Sequence, residues 1–421
     1  MKLYVKELLS SIPDVVINIS TNFKNHGYKC WLVGGCLRDF FMAKPLKEID
    51  LATNAVPEVV SNIFPDVVDI GSAYGSVLIK EDGQSFEVTT LRKESGYNDA
   101  RHPSNIIFCD NLKEDLCRRD FTINGLAYDP IKKELYDYYD SLSDIKNKTI
   151  KTIGEADDRF EEDALRMLRA CRFASQLDFT IISSTYESIS RKKEKLNYIS
   201  KERIAKEFIK ILESEYFKKG FYLLKETGIM NVSFPELTCL DFDSVDLLYF
   251  SKISPKELRI FILSKFLLER SSEESLKHFL YRLHYKKSHI KTIISISESI
   301  NFFEDIIDIY QIEDVKLKYL VKNIGKENVK LWLDIYSVLN DLNKKDIRYL
   351  NNKFKKTLRE PLFIEDLALK GEDLKKMGIP SGPIIGEILD KLLSFVIVNP
   401  EKNTWSYLVS RVKKKYEYLS P

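Results

Sequence analysis

Glu48 and Asp50 are separated by a single residue in KEIDLAT, and a third acid, Glu87, lies in the β-rich run SFEVTTLR. In an extended strand, side chains two apart share a face, so the spacing predicts that Glu48 and Asp50 project together while Ile49 and Leu51 pack behind them. Two carboxylates on one face can hold a divalent cation, and Glu87, on the second strand of a predicted hairpin, could sit opposite them. Oxygen donors without His or Cys suit Mg²⁺ better than zinc. Nearby, Gly34 and Gly35 follow the predicted strand CWLV and open a helix, so a phosphate could approach exposed N–H groups with Arg38 one turn further on. This set fits metal-assisted phosphoryl or nucleotidyl transfer. It is not a P-loop, which would need GxxxxGKS or GxxxxGKT. Each piece alone has a plainer reading: a tight turn at the glycines, Arg38 and Asp39 capping a helix, and Glu48 as a solvated surface residue. Their conjunction points to chemistry.

A second pair reads differently. The helical pattern FEEDALRMLRACRF places Asp163 and Arg166 three apart, which on a helix is one face. Cytosine and adenine both present an exocyclic amine beside a ring-nitrogen acceptor, so a carboxylate and a guanidinium side by side suit both bases. Uracil and guanine reverse donor and acceptor and would be repelled. An ordinary surface salt bridge is the alternative for this pair. Arg169 and Arg172 continue the row, to touch phosphate or to pair with acids.

The elements that must position these groups fall into two textures. Up to about residue 137, short apolar runs alternate with helical patterns, and EDGQ between GSVLIK and SFEVTTL reads as a hairpin turn. From about residue 155 onward apolar residues recur at three- and four-residue spacing, which predicts helices. The fold class is therefore α+β, with a mixed-sheet head followed by a helical remainder. Breaks near 234–243 and 378–383 mark boundaries. The polar segment 92–105, RKESGYNDARHPSN, reads as a mobile loop, with His102 in it able to meet substrate. At 421 residues, 44% hydrophobic, the chain can build several cores, and 65 basic against 63 acidic side chains leave a net charge of +2, so a polyanion site must come from local clustering. The six cysteines form no CxxC pair and read as reduced core thiols. MKLYVKELLSS lacks the apolar run of a signal peptide, and no stretch approaches the ~20 residues of a membrane span, so a cytoplasmic protein is expected.

Taken together, LVGGCLRD, EIDLATNAVPEVV, FEVTTLRKESGYNDARHP, CRRDFTINGLAYDP and EEDALRMLRACRF resemble, in order and spacing, the motifs of class II tRNA nucleotidyltransferases, the CCA-adding enzymes and their bacterial poly(A) polymerase relatives. SKERIAKEF, FPEL and GEDLKKMGIPSGPIIGEIL extend the resemblance over nearly the whole chain. It implies a polymerase-beta-like nucleotidyltransferase head (1–137), a neck (138–215), a body (216–330) and a tRNA-binding tail (331–421). It also implies Mg²⁺ at Glu48 and Asp50, with Glu87 as the third catalytic carboxylate, and CTP, ATP and tRNA as substrates. Gly34, Gly35, Arg38 and Asp39 match its triphosphate motif. Arg119, Asp120 and Asn124 match the segment that holds sugar and phosphates and tells ribose from deoxyribose. Glu162, Asp163 and Arg166 match its base-selecting EDxxR motif, and the segment at 92–105 matches the flexible loop that assists A addition. Glu48 departs from the family's Asp-x-Asp; its extra methylene moves the carboxylate by roughly an ångström if the backbone stays put.

The helical half carries lysine-rich runs, among them SRKKEKLNYISKER and SRVKKKYEY, which could track RNA phosphates or simply be solvated. Tyr281 and Tyr285 are expected in the core. A poly(A) polymerase, a CC-only or A-only enzyme, and a catalytically silent RNA-binding protein stay open as alternatives. With no HD pair in the helical half, no phosphohydrolase activity is expected.

Overall fold

The structure is a computed structural model that describes residues 7–8, 10–46, 48–97, 103–241, 246–304 and 308–416. By contacts the chain divides into two units, residues 1–238 with 282–284, and 239–281 with 285–421.

The first unit is built on a seven-stranded mixed sheet of order β3-β4-β5-β2-β1-β8-β9. Its strands are β1 (Cys30–Val33), β2 (Asp50–Thr53), β3 (Val67–Gly71), β4 (Ser76–Glu81), β5 (Gln84–Thr90), β8 (Leu126–Asp129) and β9 (Glu134–Asp137). The predicted hairpin is present: Glu81 pairs with Gln84, and Asp82 and Gly83 turn the chain at φ 49° and 70°. Two positive φ values in a two-residue loop match the right-handed twist of the strands, which is why Asp-Gly serves here. Central β2 pairs antiparallel with β1 and parallel with β5, setting Val33 opposite Asp50 and Leu51 opposite Val88. Behind it Trp31, Val33, Ala52, Leu91 and Leu116 form a buried cluster.

The segment expected as a loop is largely a separate antiparallel ribbon, β6 (Arg92–Tyr97) with β7 (Pro103–Phe108). His102 lies outside the described residues. The charged side chains that read as loop do not oppose pairing, because they are answered by partners: Glu94 accepts from Arg92 Nε at 2.7 Å and from Arg118 Nη1 at 3.2 Å.

Helices frame the sheet: α1 (Asp14–Asn25), α2 (Gly35–Phe41), α3 (Pro57–Ile63), α4 (Leu112–Cys117) and α5 (Ser141–Asn147). Then come α6 (Ala156–Glu162), α7 (Leu165–Leu177), α8 (Ser183–Lys192), α9 (Lys201–Leu212), α10 (Phe217–Glu226) and α11 (Ile229–Ser233). The helical half also holds one small parallel pair, β10 (Thr149–Ile150) with β11 (Thr180–Ile181). Helix α7 is buried almost all round, so it reads as a core helix packed by α9 and α10.

In the second unit the described helices run from α12 (Asp246–Lys252) to α21 (Trp405–Tyr416). One of its cores stacks Trp332 on Tyr336 at 4.5 Å with Phe303 edge-on at 5.3 Å; another packs Ile388, Leu392 and Val396 with Leu408 and Val412. Tyr281 is 50% exposed and Tyr285 half-buried, so neither is the core residue expected. Of the six cysteines only Cys30, Cys36 and Cys171 are buried, and Cys239 is exposed. Lys286, Lys287, Lys355, Lys356 and Lys413 stay at the surface. Among the described residues no helix is long and apolar enough to cross a membrane.

The α7–α10 approach is closed by Gly220, where a Cβ would lie 2.5 Å from Ile211 Cγ2 and 2.9 Å from Ser175 Cβ. Gly220→Ala should therefore destabilise the first unit by about 1–3 kcal/mol, read as an earlier urea transition by circular dichroism, because the backbones must part.

Candidate active site

Helix α2 opens directly on the end of β1. Gly34 takes φ 77°, and a Cβ there would lie 3.2 Å from Arg119 Nη1 and 3.9 Å from Asp50 Oδ2. The glycine thus leaves a gap bordered by a guanidinium and a carboxylate, while on Gly35 a Cβ would meet Arg38 Nη2 at 3.4 Å. Continuing the parallel register by one residue sets Asp50 beside Glu87. Asp50 is open to solvent on one side, yet its carboxyl group is stripped of much of its hydration. That burial, with Glu87 and Glu48 repelling it and Arg119 only partly opposing, pushes its pKa up to about 6.

Glu48 departs from the expectation. It precedes β2, in a bend at φ 47°, so strand alternation does not bring it beside Asp50. Proximity in space does, since its charge is felt at Asp50. Among the described residues no three His, Cys, Asp or Glu side chains converge to hold a metal. The carboxylates fit a divalent cation through their charge: Asp50 carries two anionic neighbours and too little positive charge to offset them.

Beside this edge lies a buried polar network. Arg38 donates from Nη1 to Asn124 Oδ1 at 2.7 Å and from Nε to Asp39 at 2.9 Å. Asn124 Nδ2 donates to Asp120 at 3.0 Å, and Asp120 also accepts from the Phe121 N–H at 2.8 Å and from Arg169 Nε at 2.9 Å. Burial alone would raise Asp120, but Arg169 and these donors hold it well below the usual carboxylate range. Arg119 pairs with Asp115, which is buried and also held by Arg118 at 2.7 Å.

Asp163 and Arg166 do not share a helical face. Helix α6 ends at Glu162, Asp163 is extended at φ −144° and ψ 100°, and α7 starts at Leu165. Asp163 accepts from the Leu165 N–H at 3.1 Å and from Arg203 at 2.8 Å. Arg166 pairs with Glu162 at 2.6 Å and donates to the Arg118 carbonyl at 2.7 Å. A carboxylate that can satisfy the first N–H groups of the next helix competes with helix continuation, which is why the pattern breaks there.

Residues 30–151 match a family model described as the poly A polymerase head domain, and residues 178–240 one described as a probable RNA and SrmB-binding site of polymerase A. The CCA-adding enzyme of Lactobacillus johnsonii is 32% identical over 398 residues, spanning 92% of this chain and 95% of that one. That of Lactococcus lactis is 33% identical over 398 residues, with 92% and 94% covered. The chain belongs to the family of CCA-adding enzymes.

Among solved structures, the Bacillus stearothermophilus CCA-adding enzyme in complex with CTP is similar at TM-score 0.76 and 27% identity, covering 96% of this chain and 98% of that one. The Thermotoga maritima CCA-adding enzyme complexed with tRNA shares the fold at TM-score 0.63 and 20% identity, with 97% and 98% covered.

In this member of the CCA-adding family, three residues at the site escaped sequence reasoning. Phe173 lies beneath three guanidinium groups, Arg172 at 4.2 Å and Arg38 and Arg169 at 5.4 Å each. Glu207, 5% exposed, pairs with Arg172 at 2.6 Å and lies 3.9 Å from Arg169. Arg203 is the third. A signal existed for Glu207: it falls within the apolar stripe Ile204, Phe208, Ile211 of α9, where a charge demands a partner.

Two outcomes follow from this geometry. Gly34→Ala should weaken nucleotide binding, seen by titration calorimetry, because the left-handed backbone and the gap beside Arg119 both exclude a Cβ. Asp120→Ala should destabilise the first unit by about 3 kcal/mol in chemical unfolding, because it leaves Arg169 and Asn124 without their acceptor.

Proposed function

We propose that the chain is a CTP(ATP):tRNA nucleotidyltransferase that adds or repairs the 3′-terminal CCA of tRNA without a nucleic-acid template, in the cytoplasm and with Mg²⁺. The observation that carries this reading is the edge of β2, where Asp50, repelled by Glu87 and Glu48, adjoins the glycine gap and Arg119. The division into head (1–137), neck (138–215), body (216–330) and tail (331–421) belongs to the same proposal.

In the reaction the tRNA 3′-hydroxyl gives up its proton to solvent as its oxygen bonds to the α-phosphorus of the incoming nucleotide, the bond from that phosphorus to the bridging oxygen breaks, and pyrophosphate leaves. Gly34 and Gly35 admit the triphosphate and Arg38 and Arg119 offset its charge, while Asp120 and Asn124 fix Arg38 and border the sugar. Glu48 and Asp50 would hold Mg²⁺, with Glu87 beside them, and a bound ion would supply Lewis-acid activation of the attacking oxygen and charge to offset the phosphate. Asp163 and Arg166 read the amine and ring nitrogen shared by C and A. The backbone at Glu48 costs least for Asn or Asp, so Glu stands here at a position whose φ suits the shorter acid.

The test extends tRNA transcripts ending at the discriminator base, at C and at CC, with CTP, ATP or both, and sequences the 3′ ends. Addition that stops at CCA is expected on all three. Open-ended A tails would establish a poly(A) polymerase instead, and tRNA binding without addition would overturn the catalytic reading. Glu48→Asp should keep or raise the rate, whereas Asp50→Asn should lower kcat by roughly 100-fold or more in the same assay.

The raised Asp50 has a pH signature. Without a cation the folded state retains a proton that the unfolded chain releases near pH 4, so this group subtracts stability as pH rises from about 4 to about 6. Mg²⁺ should therefore raise the melting temperature more at pH 7.5 than at pH 5, measured by calorimetry, because below about pH 6 proton and cation compete for Asp50. An equal shift at both pH values would remove Asp50 from the metal site.

A further inference from the structure

Three arginines from two helices converge on one aromatic ring. The guanidinium of Arg172 lies 4.2 Å from the centroid of Phe173, and those of Arg38 and Arg169 lie 5.4 Å away each. Arg169 and Phe173 are four apart on α7 and so share a face, whereas Arg38 comes from α2, beside the glycine pair. Each guanidinium has its own acid: Asp39 for Arg38 at 2.8 Å, Asp120 for Arg169, and Glu207 for Arg172 at 2.6 Å. Glu207 also stands 3.9 Å from Arg169, but among the described residues no acid pairs with Arg38 and with an arginine of α7 as well. The ring is the group that all three touch. Their mutual repulsion is felt: burial, with Arg169 and Arg38 repelling it against the pull of Glu207 and Asp120, brings the pKa of Arg172 down to about 10. Phe173 is 6% exposed, and its ring is set by Phe121 at a centroid distance of 5.8 Å and an angle of 82°. The N–H of Phe121 donates to Asp120, so the segment that anchors Arg169 also orients the ring.

We propose that Phe173 is a positioning residue whose π face gathers Arg38, Arg169 and Arg172 into one cationic cluster on the triphosphate side of the nucleotide site. The inference rests on the reading of Arg38 as a triphosphate-facing group. Its physical basis is what other side chains would do in the same place. A carboxylate there would pair with the arginines and quench the charge that a triphosphate has to meet. An aliphatic side chain of similar size would fill the space and leave three like charges to repel one another. The ring's quadrupole attracts each cation yet carries no net charge, and the attraction is strong because the ring is shielded from water.

The experiment keeps the ring's shape and drains its electrons. In the full-length enzyme Phe173 is replaced, by stop-codon suppression, with 4-fluoro-, 3,5-difluoro- and 3,4,5-trifluorophenylalanine, beside Phe173→Leu and Arg38→Gln. KM and kcat are measured for CTP on transcripts lacking CCA and for ATP on transcripts ending in CC, with a circular dichroism melt of each protein. KM for CTP and ATP should rise together and stepwise with fluorine count, reaching about 5-fold at three fluorines, because weakening a desolvated cation–π contact forfeits an effect of that order. The value of kcat and the melting temperature should stay nearly constant along the fluorinated series, since the lost grip is the same before and during reaction and the ring still fills its place. Phe173→Leu should raise KM at least as far as the trifluorinated ring.

If Arg38→Gln leaves both KM values unchanged in a folded protein, the triphosphate-facing reading itself fails. If Arg38→Gln raises them while the fluorinated rings leave them flat, that reading stands and the role of the ring is overturned, Phe173 being apolar filling only. A rise confined to CTP or to ATP would also overturn the proposal, because a cluster that meets the triphosphate cannot tell one base from the other.

Discussion

The buried carboxylate of Asp120 is the constraint on which the first unit's site depends. It accepts from a neighbouring backbone N–H, from Asn124 and from Arg169 on a helix 45 residues and more along the chain, and its own carbonyl accepts from the Ile153 N–H at 3.2 Å. An ionised group so placed is tolerable only if every lone pair is answered, and the answers come from the sheet-bearing part and from α7 alike. Because Asn124 passes the constraint to Arg38, that arginine is tied to Asp120 through the Asn124 side chain. Removing any partner leaves the others buried and unpaired, which ties the geometry of the site to the stability of the unit.

Two aspartates show how environment divides labour between identical side chains. Asp120 is surrounded by donors and a guanidinium and is held ionised far into acid. Asp50 loses its hydration beside two other acids, and its proton affinity rises to about 6. The first is satisfied within the protein and is structural. The second is left wanting positive charge, which is the electrostatic condition of a group reserved for a cation or substrate.

Glu48 and Asp163 both sit where regular structure stops. Glu48 lies in a left-handed bend ahead of β2, and Asp163 bridges two helices in an extended conformation. At Asp163 the side chain is aimed by contacts across space, from Arg203 and from the Leu165 N–H. Residues inside a strand or helix inherit a direction from the element; residues at a break can be pointed individually, and the arrangement of Arg203 with Asp163 is one such aim.

The local patterns by themselves determined the α+β organisation, the Asp-Gly hairpin and the glycine pair ahead of α2. These depend on hydropathy period and on residue types with few conformational alternatives, which neighbours in sequence suffice to dictate. Only the tertiary structure decided that Glu48 stands outside β2, that Asp163 breaks the helix, that segment 92–105 is mostly a ribbon, and that Arg203 and Glu207 stand behind the site. The ion-pair partners lie far along the chain, 40 residues apart for Asp163 and Arg203 and 49 for Asp120 and Arg169. Ion pairs act through space at a few ångströms and leave no periodic trace along the chain.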